Sequence, residues 1–105
     1  MRKIIFMKVK PNTYYFNLLK NNKQKLENEY GITRIGIFGS VARGEQDKNS
    51  DIDVFFDADK ITLFRMGGLS YDLQQLFGRN VDVVRNHKNI NPRFRKQIEK
   101  DIIYV

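Results

Sequence analysis

The chain contains no cysteine and one histidine, and its acidic residues are outnumbered by basic ones, 12 to 19. Without cysteine there can be no disulfide, no thiolate metal site and no thiol nucleophile, and the composition suits a reducing, cytoplasmic setting. No apolar run approaches the ~20 residues that span a bilayer. Internal repeats, low-complexity tracts and linkers are also missing. The opening segment Met1–Lys10 is basic around a short apolar centre. That centre is too short for a signal peptide, and no small-residue cleavage site follows it. Residues 1–12 therefore read as an arm or edge strand, and residues 13–105 as one domain, in keeping with the length of 105 residues.

What is present is a globular composition: 41% hydrophobic and 30% charged residues. The net charge of +7 attracts polyanions. Most lysines and arginines are dispersed, however, and read as solubilising charges rather than as a nucleic-acid groove. No aromatic–basic RNA-binding pattern occurs. Only Arg93, Arg95, Lys96 and Lys100 are bunched. Such a run is ordinarily a solvated helix face; the alternatives are docking of an acidic partner or contact with RNA.

Apolar spacing at Tyr15, Leu19, Leu26 and Tyr30 predicts a helix over 13–30, stopped by Gly31. Residues 32–38 form a β-branched run that predicts a strand ending at Gly39. A helical turn near 41–44, a polar loop over 45–50 and a second strand over 51–56 follow. Met66, Leu69, Leu73 and Leu76 predict a helix within 62–77. There Gly67 and Gly68 each cost about 1 kcal/mol relative to alanine, so either the helix starts after them or a close contact requires them. Residues 80–85 predict a third strand. Pro92, suited to a first helical turn, opens a last helix with Phe94, Ile98 and Ile102 four apart. The expected fold is α/β (α+β): a small mixed sheet of three or four strands flanked by helices.

The chemistry concentrates in Gly39-Ser40 and, ten residues on, Asp51-Ile52-Asp53. Strand residues i and i+2 share a face, so Asp51 and Asp53 project together. Adjacent like charges are costly unless a cation lies between them, and oxygen-only ligation favours a hard ion such as magnesium. A Gly-Ser turn offers backbone N–H groups and a hydroxyl to phosphate oxygens. Asp82, embedded in the apolar run Val81–Val84, would be expensive without solvent or a partner, and could complete a three-carboxylate site. Each element alone has an ordinary explanation: a strand-ending turn, a loop cap paired with Arg43 or Lys48, a solvated edge residue. Together, at these spacings, they indicate a metal–nucleotide site. His87 reads as a surface residue, the five tyrosines as packing, Asp47, Asp57 and Asp59 as loop charges, and Asp72 as a helix-surface charge.

Phe38-Gly39-Ser40-Val41-Ala42-Arg43-Gly44-Glu45 through Ser50-Asp51-Ile52-Asp53, with Asp82 on a later strand, resembles the polymerase-beta-type nucleotidyltransferase superfamily, in particular its minimal nucleotidyltransferases. The resemblance runs from about residue 30 to the C-terminus. It implies that Gly39 and Ser40 hold the β- and γ-phosphates of ATP, with Arg43 as a further phosphate contact. It also implies that Asp51, Asp53 and Asp82 bind two Mg2+ ions and that Asp82 helps deprotonate the attacking hydroxyl. Stand-alone members commonly pair with HEPN-domain toxins and act as antitoxins by transferring AMP to a toxin tyrosine. The implied assembly is a hetero-oligomer with such a toxin. Alternatives are an antitoxin that acts by occlusion alone, and nucleotidylation of a small-molecule hydroxyl; addition to RNA is less favoured.

Overall fold

The computed structural model describes residues 9–105, so most of the expected arm over 1–12 lies outside the described residues. Elements alternate along the chain: α1 (Asn12–Tyr30), β1 (Ile32–Phe38), α2 (Gly39–Arg43), β2 (Ile52–Ala58), α3 (Leu63–Phe77), β3 (Val81–Arg85), α4 (Pro92–Asp101) and β4 (Ile103–Tyr104). The strands form one mixed sheet in the order β3-β2-β1-β4. β1 pairs antiparallel with β2 and with β4, whereas β2 and β3 run parallel, joined by α3 as a crossover helix.

Strand alternation gives the sheet two unlike faces. Ile35 and Ile37 of β1, Ile52, Val54 and Phe56 of β2 and Val81 of β3 pack beneath α1 and α3 against Tyr15, Leu19, Leu26, Leu69, Leu73 and Phe77. The opposite face buries a smaller cluster, Phe38, Phe55, Ile90 and Ile98, under α4. The apolar spacing that marked α1 and α3 is the spacing of their buried sides.

α3 is continuous. It begins at Leu63, with the Thr62 hydroxyl accepting from the Arg65 amide, and runs through both glycines. Gly68 is explained by close contact, since a β-carbon there would lie 3.3 Å from the Tyr30 hydroxyl; at Gly67 nothing lies within 4 Å. The expected helix over Phe94–Ile102 stops one residue short. Ile102 has left helical geometry, with its amide still bonded to the Ile98 carbonyl. The chain then forms β4, absent from the sequence-based expectation. Two residues carry too little periodicity to mark a strand. What allows β4 is Gly36, where a β-carbon would lie 2.5 Å from the Ile103 carbonyl oxygen.

Three single-residue expectations are corrected. Asp57 belongs to β2 rather than to a loop and pairs with Arg34 across the ladder at 2.9 Å. Asp72 is half-buried on α3 because it accepts a hydrogen bond from the Tyr30 hydroxyl of α1. Tyr71, expected to pack, is exposed on α3, whereas Tyr104 does pack, beneath the Arg34 guanidinium. His87 is exposed, as expected, with Nδ1 accepting from the Asn89 amide.

Candidate active site

β1 ends at Phe38, and the next residue, Gly39, has φ +74°, the left-handed region that favours glycine. A second constraint acts on the same atom. A β-carbon on Gly39 would collide with the Asp53 carboxylate. The turn therefore brings main chain directly against the carboxylate at the start of β2. α2 then runs from Gly39 to Arg43 and is closed by Gly44, φ +72°.

Asp53 faces Asp82 across the parallel ladder. Both project to the thinly covered face, since their neighbours Ile52, Val54 and Val81 fill the opposite one. The pair opens into a cleft of about 690 Å³ lined also by Phe38, Gly39, Arg43, Phe94 and Lys100. Burial, and then the charges of Asp82 and Asp51, push the Asp53 carboxyl up to about 6, with the Asp82 hydrogen bond adding to the shift and Arg43 opposing it.

Gly39, Arg43, Asp53 and Asp82 thus meet at one cleft. Ser40 is half-buried in α2 and is not among the lining residues. Asp51 precedes the first ladder residue, Ile52, and is exposed; it acts on Asp53 through its charge. Among the described residues no group of three acidic or histidine side chains is gathered tightly enough to be a preformed metal site. What is gathered is the Asp53–Asp82 pair, with Asp51 at its edge. Two facing carboxylates whose joint ionisation is opposed by their own repulsion suit a hard divalent cation. Arg43 donates to Glu45 at 2.8 Å and to Asp101 of α4 at 2.6 Å, tying α2 to α4 across the cleft. Asp101 carried no sequence signal, because this pairing spans 58 positions. The aromatic wall of Phe38 and Phe94, in T-shaped contact at 6.1 Å and backed by Phe55 at 6.4 Å from Phe38, was equally invisible.

Comparison with known proteins fits this geometry. The nucleotidyltransferase domain family matches residues 18–105. The chain is 38% identical over 89 residues to MJ1217 of Methanocaldococcus jannaschii, provisionally named a protein adenylyltransferase, covering 84% of this chain and 91% of that one. It is 31% identical over 90 residues to the protein adenylyltransferase MntA of Thermococcus cleftensis, covering 85% and 90%. A solved structure provisionally described as a minimal nucleotidyltransferase superposes with a TM-score of 0.65 at 30% identity, over 87% of this chain and 88% of that one. Two toxin–antitoxin structures share the fold. One, solved with AMP-PNP, has a TM-score of 0.64 at 22% identity, covering 89% and 70%. The other is a tri-AMPylated Shewanella oneidensis HEPN toxin in complex with its MNT antitoxin, with a TM-score of 0.55 at 18% identity, covering 89% and 66%. Among the described residues no helix is long and apolar enough to cross a membrane. With a family match over most of its length and a carboxylate pair set against a Gly-Ser turn, this chain belongs to the nucleotidyltransferase domain family, as an enzyme of its minimal branch.

Proposed function

We propose that this chain is a cytoplasmic, Mg2+-dependent protein adenylyltransferase that moves AMP from ATP to a tyrosine hydroxyl of a HEPN-type toxin and so acts as its antitoxin. The observation that carries the reading is the Asp53–Asp82 pair facing one cleft beside Gly39, in a chain related at 31% identity to the protein adenylyltransferase MntA. The toxin–antitoxin structures of the same fold, one solved with AMP-PNP and one with an AMPylated HEPN toxin, support the nucleotide and the acceptor class.

Residues 13–105 act as a single domain. Gly39 and Ser40 receive the β- and γ-phosphates, and the absent side chain at Gly39 leaves main chain directly beside the Asp53 carboxylate. Arg43, already held at the cleft by Glu45 and Asp101, adds positive charge there. Asp51, Asp53 and Asp82 would hold Mg2+. When bound, the ion neutralises phosphate charge and stabilises the attacking and leaving oxygens. The tyrosine oxygen attacks the α-phosphorus, the bond from that phosphorus to the bridging oxygen breaks, and pyrophosphate leaves. Asp82, the exposed member of the pair, accepts the hydroxyl proton. The protein's contribution is positioning and charge, so few reactive side chains are needed.

The test is intact-mass spectrometry of a HEPN-family toxin after incubation with this chain, ATP and Mg2+. Mass added in whole AMP units, lost with Asp53→Asn and with EDTA, is the expected result. An unmodified toxin held in a stable, inactive complex would overturn the enzymatic account and favour occlusion.

A further inference from the structure

Most of the basic run on α4 is left unused by the catalytic site. Arg93, Lys96 and Lys100 fall at i, i+3 and i+7, so they form one exposed stripe about 10 Å long. Like charges at this spacing repel and weaken a helix. Among the described residues none of the three side chains has an ion pair or a side-chain hydrogen bond.

The other arginines behave differently. The guanidinium groups of Arg34, Arg43, Arg65, Arg79, Arg85 and Arg95 are each bonded within the chain. Arg95, two residues from Arg93, fastens the loop before α4 through Asn86 and the His87 carbonyl. Of the described arginines only Arg93 has a guanidinium with no hydrogen bond or ion pair within the chain.

The stripe begins at the cleft. Lys100 lines it beside Asp53 and Asp82, whereas Arg93 and Lys96 line a separate concavity of about 510 Å³ with Asn91 and Pro92. A nucleotide in the cleft accounts for Lys100 and leaves the other two cations without a partner. Their position is that of a rail leading an acceptor to the site. Resting on the adenylylation reading above, we infer that this stripe docks an acidic, Asp/Glu-rich surface of the acceptor protein and sets its hydroxyl at the cleft. A protein acceptor is favoured over RNA because the stripe leads into the cleft, where the adenylylation reading places a protein hydroxyl.

The experiment measures binding and transfer separately. The probes are a fluorescent peptide with one tyrosine flanked by glutamates, its glutamine counterpart, and a short oligoribonucleotide. The proteins are the full chain, Arg93→Gln/Lys96→Gln, and a control of equal charge change on α1, Lys20→Gln/Lys25→Gln. Lys100 is left intact because it lines the cleft. Expected are salt-sensitive binding of the acidic peptide and about fivefold weaker binding by the α4 variant, with the α1 control near wild type. KM for AMP transfer to that peptide rises by the same factor while kcat and the KM for ATP hold. Equal binding by the two variants overturns the inference, as does tighter, stripe-dependent binding of the oligoribonucleotide. Stripe-dependent peptide binding without transfer to any acceptor leaves the docking surface standing and removes the adenylylation reading instead.

Discussion

The two faces of the sheet are built from the same strands and are put to opposite uses. Beneath α1 and α3, fifteen buried residues form one continuous apolar layer. Beneath α4 only four residues are buried, and the rest of that face carries Asp53, Asp82 and the Arg34–Asp57 pair. A central strand such as β2 therefore alternates packing residues with working ones: Ile52, Val54 and Phe56 inward to the thick layer, Asp53 and Asp57 to the thin side. The lesson is that stability and chemistry are separated by one residue of sequence rather than by distance, and that substitutions on the two faces should fail in different ways.

The sharpest test of that separation is Asp53→Asn. AMP transfer should fall by about 10³-fold, equivalent to about 4 kcal/mol in the barrier, while the protein stays folded by circular dichroism. An inactive variant that is also unfolded would break the distinction. On the other face, Leu69 is fully buried against the sheet. Leu69→Ala should cost about 3 kcal/mol in urea denaturation, with kcat close to wild type at temperatures where the variant remains folded.

A smaller effect links the faces through pH. An unfolded aspartate titrates at 3.8, whereas Asp53 in the fold titrates at about 6. Between those values the folded chain binds more protons than the unfolded chain. Its stability from this group therefore falls as pH rises through the window and stays lower above it. Because Asp53 is only half-buried, solvent screening reduces the effect to about 1–2 kcal/mol. Urea melts at pH 4.5 and 7.5 should reveal it in the difference between wild type and Asp53→Asn, the variant gaining relative stability at the higher pH. An unchanged difference would mean that the carboxylates do not strain the fold. Smallest is Phe94→Ala, which removes an edge-to-face contact at the cleft wall and should cost about 1 kcal/mol in urea denaturation.

How much was legible beforehand follows the same division. The thick face was readable because burial imposes period: Tyr15, Leu19, Leu26 and Tyr30 predicted α1, and all four are buried. Gly39, Asp53 and Asp82 were readable because their spacing fixes strand, turn and strand, and they meet at one cleft. Asp51 was expected inside the strand and stands just before it, a boundary that no periodicity marks. Pairings between distant segments could not be read. The β4–Gly36 ladder, the Tyr30–Asp72 hydrogen bond and the Arg43–Asp101 strut each join residues whose side chains, taken singly, look like ordinary surface or packing choices.

The ladder position Asp53↔Asp82 has a consequence for folding as well. A slip of β2 by one residue would turn Asp53 into the layer occupied by Leu69 and Leu73 and bring Phe55 out of its own cluster. A desolvated carboxylate among leucines is among the most costly errors a sheet can make. The aspartates proposed here to serve the reaction thus act, while the chain is still assembling, as a key that admits a single alignment of the central strands.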